Sequence, residues 1–152
     1  MDENKEKWRV VLAAEAQLEQ VTDLALALWP ASVRTVLRQE MAEILADEEA
    51  AVFLLLVGDE AAAFAQVGRR QDYVEGTDSQ PVGYLEGIYV RPERRRQGLA
   101  KRLLEACEAW ARKMGCTEMG SDCALDNRDS ETFHLQMGFR EAGRIICFVK
   151  KL

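Results

Sequence analysis

The sequence predicts a mixed α/β layer fold, with helices covering a sheet. Two observations carry this. Segments of apolar run or two-residue alternation interleave along the chain with segments whose apolar residues recur every three or four positions. Pro92 and Gly98 then mark an abrupt junction between the clearest strand and the most regular helix. The 152 residues contain no linker or low-complexity tract, so residues 1–152 are expected to form one domain with a full core.

Residues 8–13 read as a first strand, and 15–28 as a helix with Leu18, Val21, Ala25 and Leu28 on one face before Pro30 ends it. Ser32 is placed to cap the next helix, 33–46, with Val33, Leu37, Met41, Ile44 and Leu45 inward and its glutamates outward. Two apolar strands, 51–57 and Glu60–Arg70, flank a Gly58-Asp59 turn. Residues 71–81 are too polar for a core element and too long for a simple hairpin, which suggests a binding loop. Val82–Val90 is a strand that Pro92 halts. Residues 98–114 form a helix on Leu99, Leu103, Cys107, Trp110 and Met114, with Gly115 as its C-terminal cap. A short strand at 117–123, a helix at 128–137 and two closing strands within 139–150, turning at Gly143, complete the pattern.

Six of the twelve residues from Arg91 to Arg102 are basic, although the chain carries a net charge of −6. Arg95, Arg96, Gln97, Gly98, Leu99, Ala100 and Lys101 fall where a helix begins, and free N–H groups there can face a pyrophosphate. Gly98 would let backbone approach phosphate oxygens, and Ala100 keeps the first turn slim. Asp72, Glu75, Asp78, Glu86, Asp122 and Asp126 suit a cation, so one cleft can serve an anionic donor and a cationic acceptor. The basic run is short and lacks interleaved aromatics, which argues against nucleic acid. No apolar run approaches the roughly 20 residues that span a bilayer, and the hydrophilic start lacks a signal peptide's apolar stretch, so a cytoplasmic protein is expected. Cys107, Cys116, Cys123 and Cys147 lack metal-ligand spacing and read as core or near-core thiols, with no disulfide. With His134 the only histidine, no metal site is expected.

Arg95-x-x-Gly98-x-Ala100 between a strand and a helix resembles the acetyl-CoA signature of the GNAT N-acetyltransferases. Leu28-Trp29-Pro30, the segment 72–79 before Leu85-Glu86-Gly87-Ile88, and Met119-Gly120-Ser121-Asp122 followed by Asn127, His134 and Met137-Gly138-Phe139 resemble the aminoglycoside 6′-N-acetyltransferases among them. The resemblance spans roughly Trp8 to Lys150.

It implies the GNAT fold, in which two parallel strands, here Val82–Val90 and 117–123, splay around the cofactor's pantetheine. It implies acetyl-CoA as cofactor, an aminoglycoside as the small-molecule partner, and a homodimer. Asp122 and Glu86 would face the drug, with Asp122 favoured as proton acceptor. A bulge in the first of these strands would free an N–H at Gly87, Ile88, Tyr89 or Val90 for the thioester carbonyl. His134 stands where many GNAT enzymes have a tyrosine that protonates the leaving thiolate. Asn127 would bond pantetheine or cap a helix; Trp29, Tyr73 and Asp78 would border the acceptor pocket. Another small polyamine as acceptor, or a non-catalytic CoA-binding module, are the alternatives.

Overall fold

In the computed structural model, which describes residues 7–152, five strands form one sheet in the order β1-β2-β3-β4-β5. They are β1 (Trp8–Leu12), β2 (Ala50–Val57), β3 (Glu60–Arg70), β4 (Val82–Val90) and β5 (Met119–Ser121). β1 to β4 run antiparallel to their neighbours, and β5 joins β4 in parallel. The helices are α1 (Leu18–Leu28), α2 (Arg34–Ala46), α3 (Leu99–Lys113) and α4 (Arg128–Gln136). The expected hydrophilic start, residues 1–6, lies outside the described residues.

Strand alternation divides the core into two layers. On β2, Val52, Leu54 and Leu56 pack with Val21 and Leu24 of α1, Leu37 and Met41 of α2 and Phe64 of β3. Ala51, Leu55 and Val57 face the other way, onto Leu99, Leu103, Leu104 and Cys107 of α3. Each of these leucines contributes roughly 1.5–3 kcal/mol by leaving water. Burial first, and the charge of Glu108 second, push the Cys107 thiol up to about 12, which makes it a packing group at neutral pH.

The structure corrects several expectations. Ser32 does not cap α2: the N-cap is Val33, without a side-chain bond, and Val33 is exposed. Cys107 and Cys116 are buried, but Cys123 and Cys147 are exposed, because they lie in segments with no second layer over them. The strand expected over 117–123 contracts to β5 because only three residues pair with β4. The two closing strands do not form. Residues 140–152 carry no secondary structure and leave Ile145, Ile146, Phe148 and Val149 at 80–97% exposure, because an apolar alternation makes a strand only where a sheet edge receives it.

Two departures from regular pairing shape β4. Gln66 pairs with Gly87 and Val67 with Leu85, so Glu86 is the extra residue of a bulge. Beside it, β5 pairs only with Gly83, Tyr84 and Leu85, so the parallel strands part beyond Leu85 and Ser121.

Candidate functional site

A loop after β4 builds the cradle. Pro92–Arg94 makes one 3-10 turn, Arg96 takes a positive φ of 63°, and Gly98 takes φ 75° as the N-cap of α3. Only glycine enters that left-handed region without strain. The first helical bond runs from Arg102 N–H to the Gly98 carbonyl at 3.3 Å, so the N–H groups of Leu99, Ala100 and Lys101 precede the ladder. A Cβ at Gly98 would meet nothing within 4 Å, and Arg96, Gln97 and Lys101 are exposed around it. This open, donor-rich concavity fits the pyrophosphate of acetyl-CoA. Arg95 turns back: its Nε donates to the Val90 carbonyl at 2.9 Å and its guanidinium lies 5.6 Å from the Tyr89 ring centroid.

The gap between β4 and β5 has its own donors. Arg91 N–H bonds the Ala62 carbonyl across to β3. Alternation back from there turns the N–H groups of Tyr89 and Gly87 to β3, and those of Ile88 and Val90 to the gap. Of the four residues weighed in the sequence, Ile88 and Val90 therefore have the right orientation to receive a carbonyl.

His134, on α4, reaches the mouth of this gap. Its Nδ1 lies 2.6 Å from the Ser130 carbonyl, which can only accept, so Nδ1 carries a proton. Nε2 lies 2.8 Å from Ser121 Oγ, which is in turn 3.0 Å from the Leu85 carbonyl. Ser121 has one hydroxyl proton for these two partners. A neutral ring takes it at Nε2; a charged ring donates to Oγ and leaves the proton on Leu85. Phe133 and Phe139 hold the ring edge-to-face at 5.5 and 5.1 Å. Asn127 is engaged as the cap of α4, its Oδ1 accepting from Ser130 N–H at 3.1 Å.

The second half of the site lies on the face of β3 and β4 that carries α1 and α2. Phe64, Gln66, Gly68 and Arg70 alternate onto it from β3. Arg70 makes a forked pair with Glu86, Nη2 at 2.8 and 3.0 Å from the two carboxylate oxygens and Nε at 3.1 Å. The same guanidinium lies 3.4 Å from the centroid of the Tyr84 ring, and the Tyr84 hydroxyl donates to Asp122. Burial first, then the bond to Asp122 and its negative charge, raise the Tyr84 pKa, so the phenol keeps its proton and is the donor in the bond to Asp122. Glu86 and Asp122, predicted from different strands, are thus joined through Arg70 and Tyr84.

Trp29 stands at the end of α1 with its ring edge on Phe64 at 6.2 Å. A Cβ at Gly87 would come within 2.8 Å of that ring, so the glycine lets tryptophan close on β4. Trp29 and Gln66 line a cleft of about 210 Å³ between α2 and the sheet. Gln66 Oε1 is buried there without a partner among the described residues. Tyr73 is 70% exposed on the loop after β3, and Asp78 is exposed beside it. That loop is tied down by Glu118, which accepts from Asp78 N–H and Ser79 Oγ, and by Arg140, which donates to the Gly76 carbonyl. The Ser79 bond first, then Asp78 N–H, hold the Glu118 carboxyl below its ordinary pKa. Asp72 and Asp126 remain exposed.

Sequence reasoning missed Arg70, Tyr84, Gln66 and Ser121. Arg70 ends a strand and reads as an edge charge. The signal for the others was the placing of polar side chains in otherwise apolar strands, at positions alternation turns inward.

Comparison with known proteins agrees with this geometry. Residues 18–139 match the family model described as "Acetyltransferase (GNAT) family". The chain is 41% identical over 140 residues to an aminoglycoside N(6')-acetyltransferase type 1 of Acinetobacter haemolyticus, covering 92% of this chain and 96% of that protein. Aminoglycoside N-acetyltransferase AAC(6')-Iy in complex with CoA superposes with a TM-score of 0.95 at 34% identity over 100% of both chains. AAC(6')-Iy in complex with the bisubstrate analogue CoA-S-monomethyl-acetylneamine gives a TM-score of 0.92 at 35% identity, over 96% of this chain and 99% of that one. The splayed strands, the cradle at the start of α3 and the match over most of its length all place this chain in the GNAT acetyltransferase family.

Proposed function

We propose that the protein transfers acetyl from acetyl-CoA to the 6′-amine of 2-deoxystreptamine aminoglycosides, and so confers resistance to them. The observation that carries this reading is the pair Glu86 and Asp122, one on β4 and the other immediately after β5, beside the gap and linked through Arg70 and Tyr84 on the face that also carries Trp29 and Gln66. Carboxylates and a flat indole suit a sugar bearing several ammonium groups. The relatives named for this activity support the choice.

Acetyl-CoA supplies an acetyl group activated as a thioester. The chain's residues supply the rest. Leu99, Ala100 and Lys101 N–H groups hold the pyrophosphate, with Arg96 and Gln97 around it and Arg95 bracing the loop through the Val90 carbonyl, and Asn127 adds its amide beside the gap. Ile88 and Val90 N–H groups face the thioester carbonyl and stabilise charge that develops on it. A primary ammonium has no lone pair, so Asp122 takes its proton, while Tyr84 orients Asp122 and Glu86 binds the same ammonium as it enters. Trp29, Tyr73 and Asp78 border the sugar rings. His134 is placed to serve as acid for the departing thiolate: as the C–N bond forms and the C–S bond breaks, a charged ring would pass its Nε2 proton to Ser121 Oγ, the hydroxyl proton of Ser121 would go to sulfur, and the nitrogen's second proton would leave to solvent.

With acetyl-CoA and kanamycin, thiol is released and mass spectrometry finds one acetyl group on the 6′-nitrogen. An analogue with a 6′-hydroxyl is not turned over, because oxygen there is the poorer nucleophile. Acetylation at the 3-amine, or equal turnover of the hydroxyl analogue, would remove the 6′ assignment.

The same reading includes a cytoplasmic homodimer. Four free cysteines suit a reducing compartment. β5 is the last strand of its sheet, and the apolar side chains at 145–149 lie open to solvent; a second copy of the chain would cover them. Light scattering on the full chain gives twice the mass of one chain, and Ile146→Asp with Phe148→Asp gives a folded monomer. An unchanged mass for the double variant sets the interface elsewhere.

A further inference from the structure

Arg70 presents a charge problem that the proposed reaction does not use. The face that would receive ammonium groups already holds a cation: the Arg70 guanidinium spans both oxygens of Glu86 and lies flat on Tyr84, whose hydroxyl is bonded to Asp122. Two carboxylates close to one aromatic ring are the usual recipe for binding a cation, and here the protein fills that role itself. The arginine is the last residue of β3, 43% exposed at its side chain, and is followed by the exposed loop residues Gln71 and Asp72. It can therefore swing into water without disturbing the core.

We propose that Arg70 is a resident counter-ion which an incoming ammonium must displace from Glu86, and that it sets the charge an acceptor must carry; this rests on the reading of Glu86 and Asp122 as the acceptor's carboxylates. Displacement weakens binding of every amine by a similar factor, because the same pair is broken each time. A forked pair with a stacked face, half open to water, accounts for about tenfold. A polycation recovers that factor through a further carboxylate such as Asp78. An acceptor with a single amine has no second contact with which to do so. Arg70 would thus raise the binding threshold equally for every amine, one that a polycation clears with its further contacts and a small monoamine does not, without touching the reacting atoms.

The test is Arg70→Gln, with Arg70→Lys as the variant that keeps charge but loses the fork, assayed with kanamycin and with the monoamine 6-amino-6-deoxyglucose. Removing the competitor lowers KM for both acceptors about tenfold in Arg70→Gln, with kcat within twofold, and Arg70→Lys falls between it and the parent. If Arg70 instead serves to hold Glu86 in place, KM rises in Arg70→Gln, and that result, or an unchanged KM, overturns the proposal. Calorimetric titration of 6-amino-6-deoxyglucose into parent and variant reads the same displacement without turnover. The two readings are therefore separable: a parent enzyme that leaves kanamycin untouched removes the acetyltransfer assignment, whereas tighter monoamine binding by Arg70→Gln still supports the counter-ion.

Discussion

Asp122→Asn lowers kcat/KM for kanamycin by roughly 10²–10⁴-fold, the range associated with removing a positioned general base. The amide keeps an oxygen that can accept from the Tyr84 hydroxyl, so the contact between β4 and β5 persists and what is lost is charge and basicity. Activity recovers in part as pH rises, because more of the drug then arrives with its amine already neutral. Glu86→Gln behaves differently. It leaves the proton route intact and raises KM, since a cation contact has gone. Steady-state and pH-rate measurements on both variants separate the roles. A near-normal kcat with only a raised KM in Asp122→Asn would make it a binding residue and leave water or Glu86 to carry the proton.

Gly98→Val abolishes useful acetyl-CoA binding while the protein stays folded. At φ 75° any residue with a Cβ is strained, which costs about 1–2 kcal/mol of stability. The new side chain meets no protein atom within 4 Å, so any larger effect must come from what the cradle holds. Charge-assisted bonds contribute about 1.5–3 kcal/mol each, and holding the pyrophosphate away from two N–H groups weakens binding roughly 10²-fold or more. Gly98→Asn is the control, because asparagine tolerates the left-handed region but still fills the space. It loses binding with less loss of thermal stability. If titration calorimetry gives parent-like affinity for folded Gly98→Val, the anion is bound elsewhere.

The segments legible in the sequence were those that bury a face. α3 follows its heptad-like apolar spacing to within a residue at its start, and β3 and β4 have the limits their patterns give. The cradle was legible for a different reason: Pro92 and Gly98 act on their own backbone, so their effect needs no partner. Illegible were features that depend on two distant segments. The apolar alternation in residues 140–152 looks the same whether or not a sheet edge is available, and among the described residues none receives it. Ser32 has the side chain of a cap, but the backbone enters α2 one residue later. Glu86 and Asp122 were named separately; their connection was hidden, because Arg70 and Tyr84 join them only once β3, β4 and β5 lie side by side.

The bulge at Glu86 has a consequence for how such a protein can change over generations. In the proposed reaction one strand would serve two ligands by keeping their contacts in different directions: side chains of Tyr84 and Glu86 towards the acceptor, and backbone N–H groups of Ile88 and Val90, in the plane of the sheet, towards the donor. Backbone contacts do not depend on which side chain a codon specifies. Mutations in the acceptor wall, at Trp29, Arg70, Tyr73 or Glu86, can therefore be sampled one at a time under antibiotic selection while the acetyl donor continues to be bound, so a new drug spectrum is reachable through intermediates that never lose their source of acetyl groups.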